Sequence, residues 1–163
     1  MKIEERRIGI NVGGGFVPGM NAVIKGVATA AGRLGWEVIG IRDGFAGLLN
    51  PNQYVDGGMG PLAAHAVENL DPTAASLFGQ SARIDPFHVR RVNEDDMVEE
   101  IDQSDDLLKR LKQEKIDALV SVVGGRGLSI LYKLHRKGLN TVCIPRSVEN
   151  DVAATAVSFG FNT

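Results

Sequence analysis

Residues 7–15 read Arg-Ile-Gly-Ile-Asn-Val-Gly-Gly-Gly, an apolar run that breaks off into glycine. Arg7–Val12 has the length and branched side chains of a strand, and Gly13–Gly15 turn the chain out of it. A helix follows, continuing to about Leu34, with Pro18 placed as a first-turn residue that needs no backbone donor. Trp36–Arg42 reads as a second strand, ended by Asp43-Gly44. Strand, crossover helix, strand is the unit from which parallel sheets are built.

The unit recurs downstream. Ile116–Val123 is a strand, Gly124-Gly125-Arg126-Gly127 a glycine-rich turn, and Leu128–Lys137 a helix closed by Gly138. Thr141–Ile144 then reads as a buried strand stopped by Pro145, and a polar loop follows with Arg146, Ser147, Glu149, Asn150 and Asp151. The pattern predicts an α/β fold, a doubly wound, Rossmann-like parallel sheet with helices on both faces. Three loops would meet at one crevice beyond the carboxyl ends of the strands. Between these units, Pro61–Leu70 suggests a short helix, and Asp85-Pro86 argues against a helix running through it. Met97, Val98, Ile101, Leu107, Leu108 and Leu111 predict one amphipathic helix over Met97–Lys115.

A chain of 163 residues is long enough for one domain with a substantial core. Hydrophobic residues make up 44% and charged residues 23%, ordinary for a globular protein, and the net charge of −2 gives no sign of a nucleic-acid or membrane partner. No apolar run approaches a membrane span, and Met1–Arg7 lacks the apolar core of a signal peptide. The single cysteine, Cys143, has no internal disulfide partner. A cytoplasmic protein is expected. Glycine, at 20 residues, exceeds the usual share of about 7% and gathers at strand ends. That placement suits backbone that approaches a ligand closely.

Each loop has a chemical and a structural reading. Gly13–Gly15 between strand and helix makes an anion site, because free amides and the helix N-terminus attract phosphate. It is neither a Walker A loop nor a full dinucleotide fingerprint, and a ligand-free tight turn has the same composition. Gly124–Gly127 repeats the arrangement and adds Arg126, a charge-assisted donor for an anion, or else a solvated side chain. Glu149 and Asp151 have the chemistry of a general base with an orienting carboxylate, or of metal ligands; Asn150-Asp151 is equally common in capped turns. His65, His88 and His135 show no metal-ligand spacing.

Taken together, the loops resemble the phosphofructokinase family. The matching residues are Gly13-Gly14 with Pro18–Ala22, Gly40–Leu48, Ser81-Ala82-Arg83, Gly124-Gly125 with Gly127, and Asn150-Asp151 with Ser158–Phe161, in order over nearly the whole chain. The resemblance implies a domain that binds ATP, ADP or pyrophosphate and transfers a phosphoryl group to fructose 6-phosphate with magnesium. It implies that Gly14 approaches the phosphates through its backbone and that Arg83 contacts the donor. Ser147 falls at a family threonine that holds the transferring group, Glu149 at the aspartate general base, and Asp151 at a second aspartate.

Departures accompany the matches. Gly15 stands where the family has aspartate. Arg126 and Leu128 replace a magnesium-supporting aspartate and a serine, which inverts the charge beside a metal position. Gly127 resembles the ATP branch, whereas Arg146 stands where that branch has glycine and the pyrophosphate branch has lysine. Arg126 and Arg146 would together hold an anion without metal, so no metal-binding residue is assigned. The resemblance implies that residues 1–163 correspond to a single N-terminal domain, with the sugar-phosphate lobe absent. The expectation is a degenerate nucleotide- or phosphate-binding, regulatory or assembly protein that pairs with phosphofructokinase-like subunits in homo- or hetero-oligomers. The alternative is an active 6-phosphofructokinase completed by another chain.

Overall fold

The computed structural model describes residues 6–81 and 84–163. In chain order its elements are β1 (Arg7–Val12), α1 (Met20–Arg33), β2 (Glu37–Ile41), α2 (Ala46–Leu49), β3 (Met59–Pro61), β4 (Val89–Val92), β5 (Val98–Ile101), α3 (Ser104–Gln113), β6 (Ala118–Val123), α4 (Gly125–Arg136), β7 (Thr141–Ser147) and β8 (Phe159–Gly160). The main sheet has six strands in the order β3-β2-β1-β6-β7-β8, and β4 and β5 form a separate hairpin. Every pairing in the main sheet is parallel except β2 with β3. The expected α/β sheet is therefore present, with one antiparallel edge.

Two cores cover the sheet. Ile8, Ile10 and Val12 of β1 pack with Met20, Ile24 and Ala28 of α1 on one face. Ile41, Leu119 and Val123 pack with Leu107 and Leu111 of α3 and Leu131 and Leu134 of α4 on the other. Close approach needs small residues: a Cβ at Gly40 would lie 2.0 Å from Phe78 Cε1. From β1 the chain winds outward to β2, and from β6 it winds the opposite way to β7. The boundary between β1 and β6 is thus a topological switch point, where an open α/β sheet leaves a crevice beyond its strand ends. Gly13–Gly15 and Gly124 follow those two strands directly.

Several expectations are corrected. Met97–Lys115 is not one helix: Val98–Ile101 pairs antiparallel with Val89–Val92, and only Ser104–Gln113 is helical. Leu107 and Leu111 are the buried i, i+4 stripe of α3, and Asp102 Oδ1 accepts the Ser104 amide at its start. Pro18 lies ahead of α1, whose N-cap is Gly19 at φ 89°. Pro61 ends β3, and the short helix expected at 61–70 shrinks to a 3-10 turn at Ala64–Val67. The second glycine loop is shorter than expected, because α4 begins at Gly125.

Pro145 does not stop its strand. It pairs in register with Val123, and β7 runs on to Ser147. Leu119 donates to the Asn140 carbonyl, so the even-numbered backbone groups of β7 face β6 and the missing donor of Pro145 falls on the other side. β7 is also less buried than expected. Val142 is 56% exposed because α1 packs over β1 and β2, toward the far side of the sheet.

Candidate functional site

A cavity of about 230 Å³ opens at the switch point, walled by the first loop (Gly13, Gly14), the start of α4 (Gly124–Gly127) and Arg146. Phe45, Ser81, Ile84, Val123 and Ile130 complete it. Five residues expected from sequence to bind phosphate, Gly14, Gly125, Arg126, Gly127 and Arg146, thus line one space. Gly15 lines an adjoining hollow of about 510 Å³ with Asp43, Tyr54, Gln80 and Ser81. Arg83 lies outside the described residues.

The two loops offer their amides differently. The Gly13 amide donates to Val122 O at 3.0 Å and that of Gly14 to Ser81 O at 2.9 Å. Both donors are spent on fixing the loop, so the expected approach of Gly14 to phosphate is not made through its N–H. The Gly15 amide has no protein acceptor among the described residues. At the second loop the chain enters α4 from an extended Gly124, with no side-chain cap and no acidic residue in the first turn. The amides of Gly125, Arg126 and Gly127 therefore keep their hydrogen-bonding capacity at the positive end of the helix dipole. Gly127 also has a packing reason: a Cβ there would lie 2.5 Å from Val123 Cβ.

Arg146 is the residue whose placement the sequence did not reveal. Expected in a loop beyond the strand, it belongs to β7 and is 6% exposed. Its Nη1 donates to Gly15 O at 2.7 Å, and a Cβ on Gly14 would lie 1.6 Å from Nη2. Its Nε is buried without an acceptor, and burial pulls its pKa down. Arg126 differs: its side chain is 70% exposed, with Asp85 Oδ2 3.9 Å from Nη2.

Ser147, Glu149 and Asp151 gather beside this cavity's walls rather than in them. Ser147 Oγ donates to Asp151 Oδ1 at 2.5 Å and accepts the Glu149 amide at 3.1 Å. Asn150, at φ 56°, is held by Ser158, whose amide donates to Asn150 Oδ1 at 2.8 Å. These contacts fix the turn and leave the Glu149 carboxylate exposed. In the adjoining hollow Tyr54 donates to Asp43 Oδ2 at 3.0 Å, and burial, then this bond, raises the tyrosine pKa. Asp43 and Tyr54 are not among the site residues expected from sequence; Asp43, at φ 47°, reads there as a turn residue within the Gly40–Leu48 match.

The Phosphofructokinase family profile matches residues 7–163. The chain is 34% identical over its full length to "ATP-dependent 6-phosphofructokinase" of Chloroflexus aggregans, covering 43% of that protein. It is also 34% identical, over 96% of the chain and 41% of the relative, to "Pyrophosphate--fructose 6-phosphate 1-phosphotransferase" of Amycolatopsis methanolica. Among solved structures, T-state phosphofructokinase of Pichia pastoris superposes with a TM-score of 0.73 over 96% of this chain and 17% of that one, at 21% identity. The chain thus spans less than half the length of these relatives.

Proposed function

Because this chain belongs to the phosphofructokinase family, we propose that its crevice binds the phosphates of ATP, ADP or pyrophosphate, with weak or absent kinase turnover. The observation that carries this reading is the single cavity walled by both glycine loops, the open start of α4 and two arginines. Binding there would serve a regulatory or assembly role in the cytoplasm, alongside phosphofructokinase-like subunits, identical or different, and without a nucleic-acid or membrane partner. No helix among the described residues is long and apolar enough to cross a membrane.

Magnesium, which the family uses, does not fit the walls of this cavity. Among the described residues they hold two guanidinium groups and no carboxylate, whereas magnesium is held through carboxylate and phosphate oxygens. The adjoining hollow has one carboxylate, Asp43, already engaged by Tyr54. Phosphoryl transfer relies on positioning and on neutralising the transferring group, so Arg126 and Glu149 at positions where the family has aspartate support reduced activity.

A second reading keeps the chain in an active 6-phosphofructokinase, completed by another chain and transferring phosphate to fructose 6-phosphate. The ordered Ser147–Asp151 turn favours it, since a base at Glu149 would stand on a fixed backbone. Calorimetric titration with ATP, ADP and pyrophosphate in magnesium, beside an assay for fructose 1,6-bisphosphate, separates the two. Binding without turnover is expected. Turnover of about 1–100 s⁻¹, the range of ordinary kinases, by the chain alone or with phosphofructokinase subunits would overturn the first reading. If Arg126→Asp with Glu149→Asp leaves a donor-binding complex inactive, loss of those two groups is not the cause.

A further inference from the structure

Arg146 is an uncompensated charge. It is 6% exposed, it forms no ion pair with a described Asp or Glu, and its one hydrogen bond goes to a backbone carbonyl. A guanidinium does not give up its proton in a protein, and buried charges are otherwise paired or neutralised. The group lines a cavity that the uncapped start of the 12-residue helix α4 also lines. Cation and free amides thus line one space, and no carboxylate residue lines it among the described residues.

We infer that this cavity takes a pyrophosphoryl group free of divalent metal, with Arg146 as its counter-cation and the α4 amides donating hydrogen bonds to its oxygens. The inference rests on the phosphate-binding reading above and names the form in which the phosphate is taken. Size agrees. About 230 Å³ holds roughly seven waters at about 30 Å³ each, room for linked phosphates, and the adjoining hollow of about 510 Å³ continues from it. Free pyrophosphate and the terminal phosphates of ATP share this chemistry. Magnesium bound to the same oxygens would add a dication beside a buried guanidinium, and like charges repel.

The test is calorimetric titration of the full chain with sodium pyrophosphate in EDTA and again in excess magnesium, with ATP in parallel arms. Binding in EDTA is expected, weakening when magnesium is added. Arg146→Met is expected to lower the EDTA affinity about 10- to 100-fold, the range for deleting a hydrogen bond to a charged partner. Arg126→Gln alters a largely exposed side chain and is expected to lower it about 2- to 5-fold, as a solvated charge does. That variant and the wild-type comparison decide the matter should Arg146→Met not fold. Binding that requires magnesium overturns this inference and leaves the phosphate-binding function standing. So does unchanged affinity in a folded Arg146→Met. Binding in neither buffer overturns both. A larger ATP than pyrophosphate affinity in EDTA identifies the nucleotide as the source, and the reverse identifies free pyrophosphate.

Discussion

A methyl group added at Gly14 would lie 1.6 Å from Arg146 Nη2, on backbone whose φ of 97° already disfavours any side chain. At Gly15 the added methyl meets nothing within 4 Å, and φ is outside the left-handed region. Two neighbouring glycines of one loop are therefore expected to behave oppositely. Gly14→Ala should destabilise the fold by about 1–3 kcal/mol, from strain and from displacement of a packed guanidinium. It should weaken pyrophosphate binding as well, because the cation it moves is the one facing the cavity. Gly15→Ala should stay within about 0.5 kcal/mol of wild type. Urea unfolding midpoints of the two variants check this, and equal effects would mean that Arg146 does not rest on Gly14. The sequence made both positions legible as turn glycines. It did not show which one carries the contact, because that contact comes from residue 146, far along the chain and on another strand.

At the scale of elements, α3 tests how a helix start is held. Asp102 Oδ1 accepts the Ser104 amide at 2.8 Å, and hydrogen bonding from Ser104 lowers the Asp102 pKa from its ordinary value. A depressed carboxylate contributes stability that is present above its unfolded pKa of about 3.9 and lost as pH falls through the folded value. Unfolding midpoints should therefore drop as pH falls from about 5 toward 2. Asp102→Asn should flatten that drop in part. Only in part, because Arg42 lowers Asp56 and Thr73 lowers Asp71 in the same sense. Convergence of wild type and variant at the acid end is the expected signature; a constant offset at every pH would show that the carboxylate charge contributes nothing. The same region marks the limit of reading periodicity. Leu107, Leu108 and Leu111 predicted a helix correctly, but Met97, Val98 and Ile101 were drawn into it although Val-Glu-Glu-Ile belongs to a hairpin. Asp102 with Ser104 was the available boundary signal. The βαβ units were legible because their strands are apolar and the first strand of each, β1 and β6, runs directly into glycine. The antiparallel β3 was not, since three residues, Met59–Pro61, carry no period.

At the scale of the whole molecule, the two edges of the sheet are unlike. β3 is short and pairs through Ile39–Ile41, whereas the opposite edge is only the two-residue β8 beside the longer β7. Val142, Val148, Phe159 and Phe161, on or next to these strands, are each about half exposed, at 56, 51, 51 and 49%. A short edge strand limits open-ended pairing, but apolar side chains on neighbouring strands favour a contact that removes them from water. At about 25 cal/mol per Å² of apolar surface, covering a few such side chains yields several kcal/mol, and the loss of free translation and rotation on association is of similar size. The balance predicts weak, concentration-dependent self-association of this chain. Sedimentation velocity should show the mean mass rising above that of the 17.5 kDa chain as concentration increases. Phe159→Ser with Phe161→Ser should return it to the monomer value while pyrophosphate affinity is kept, since neither residue lines the phosphate cavity. A single monomeric species at every concentration would show instead that this edge is no contact between copies.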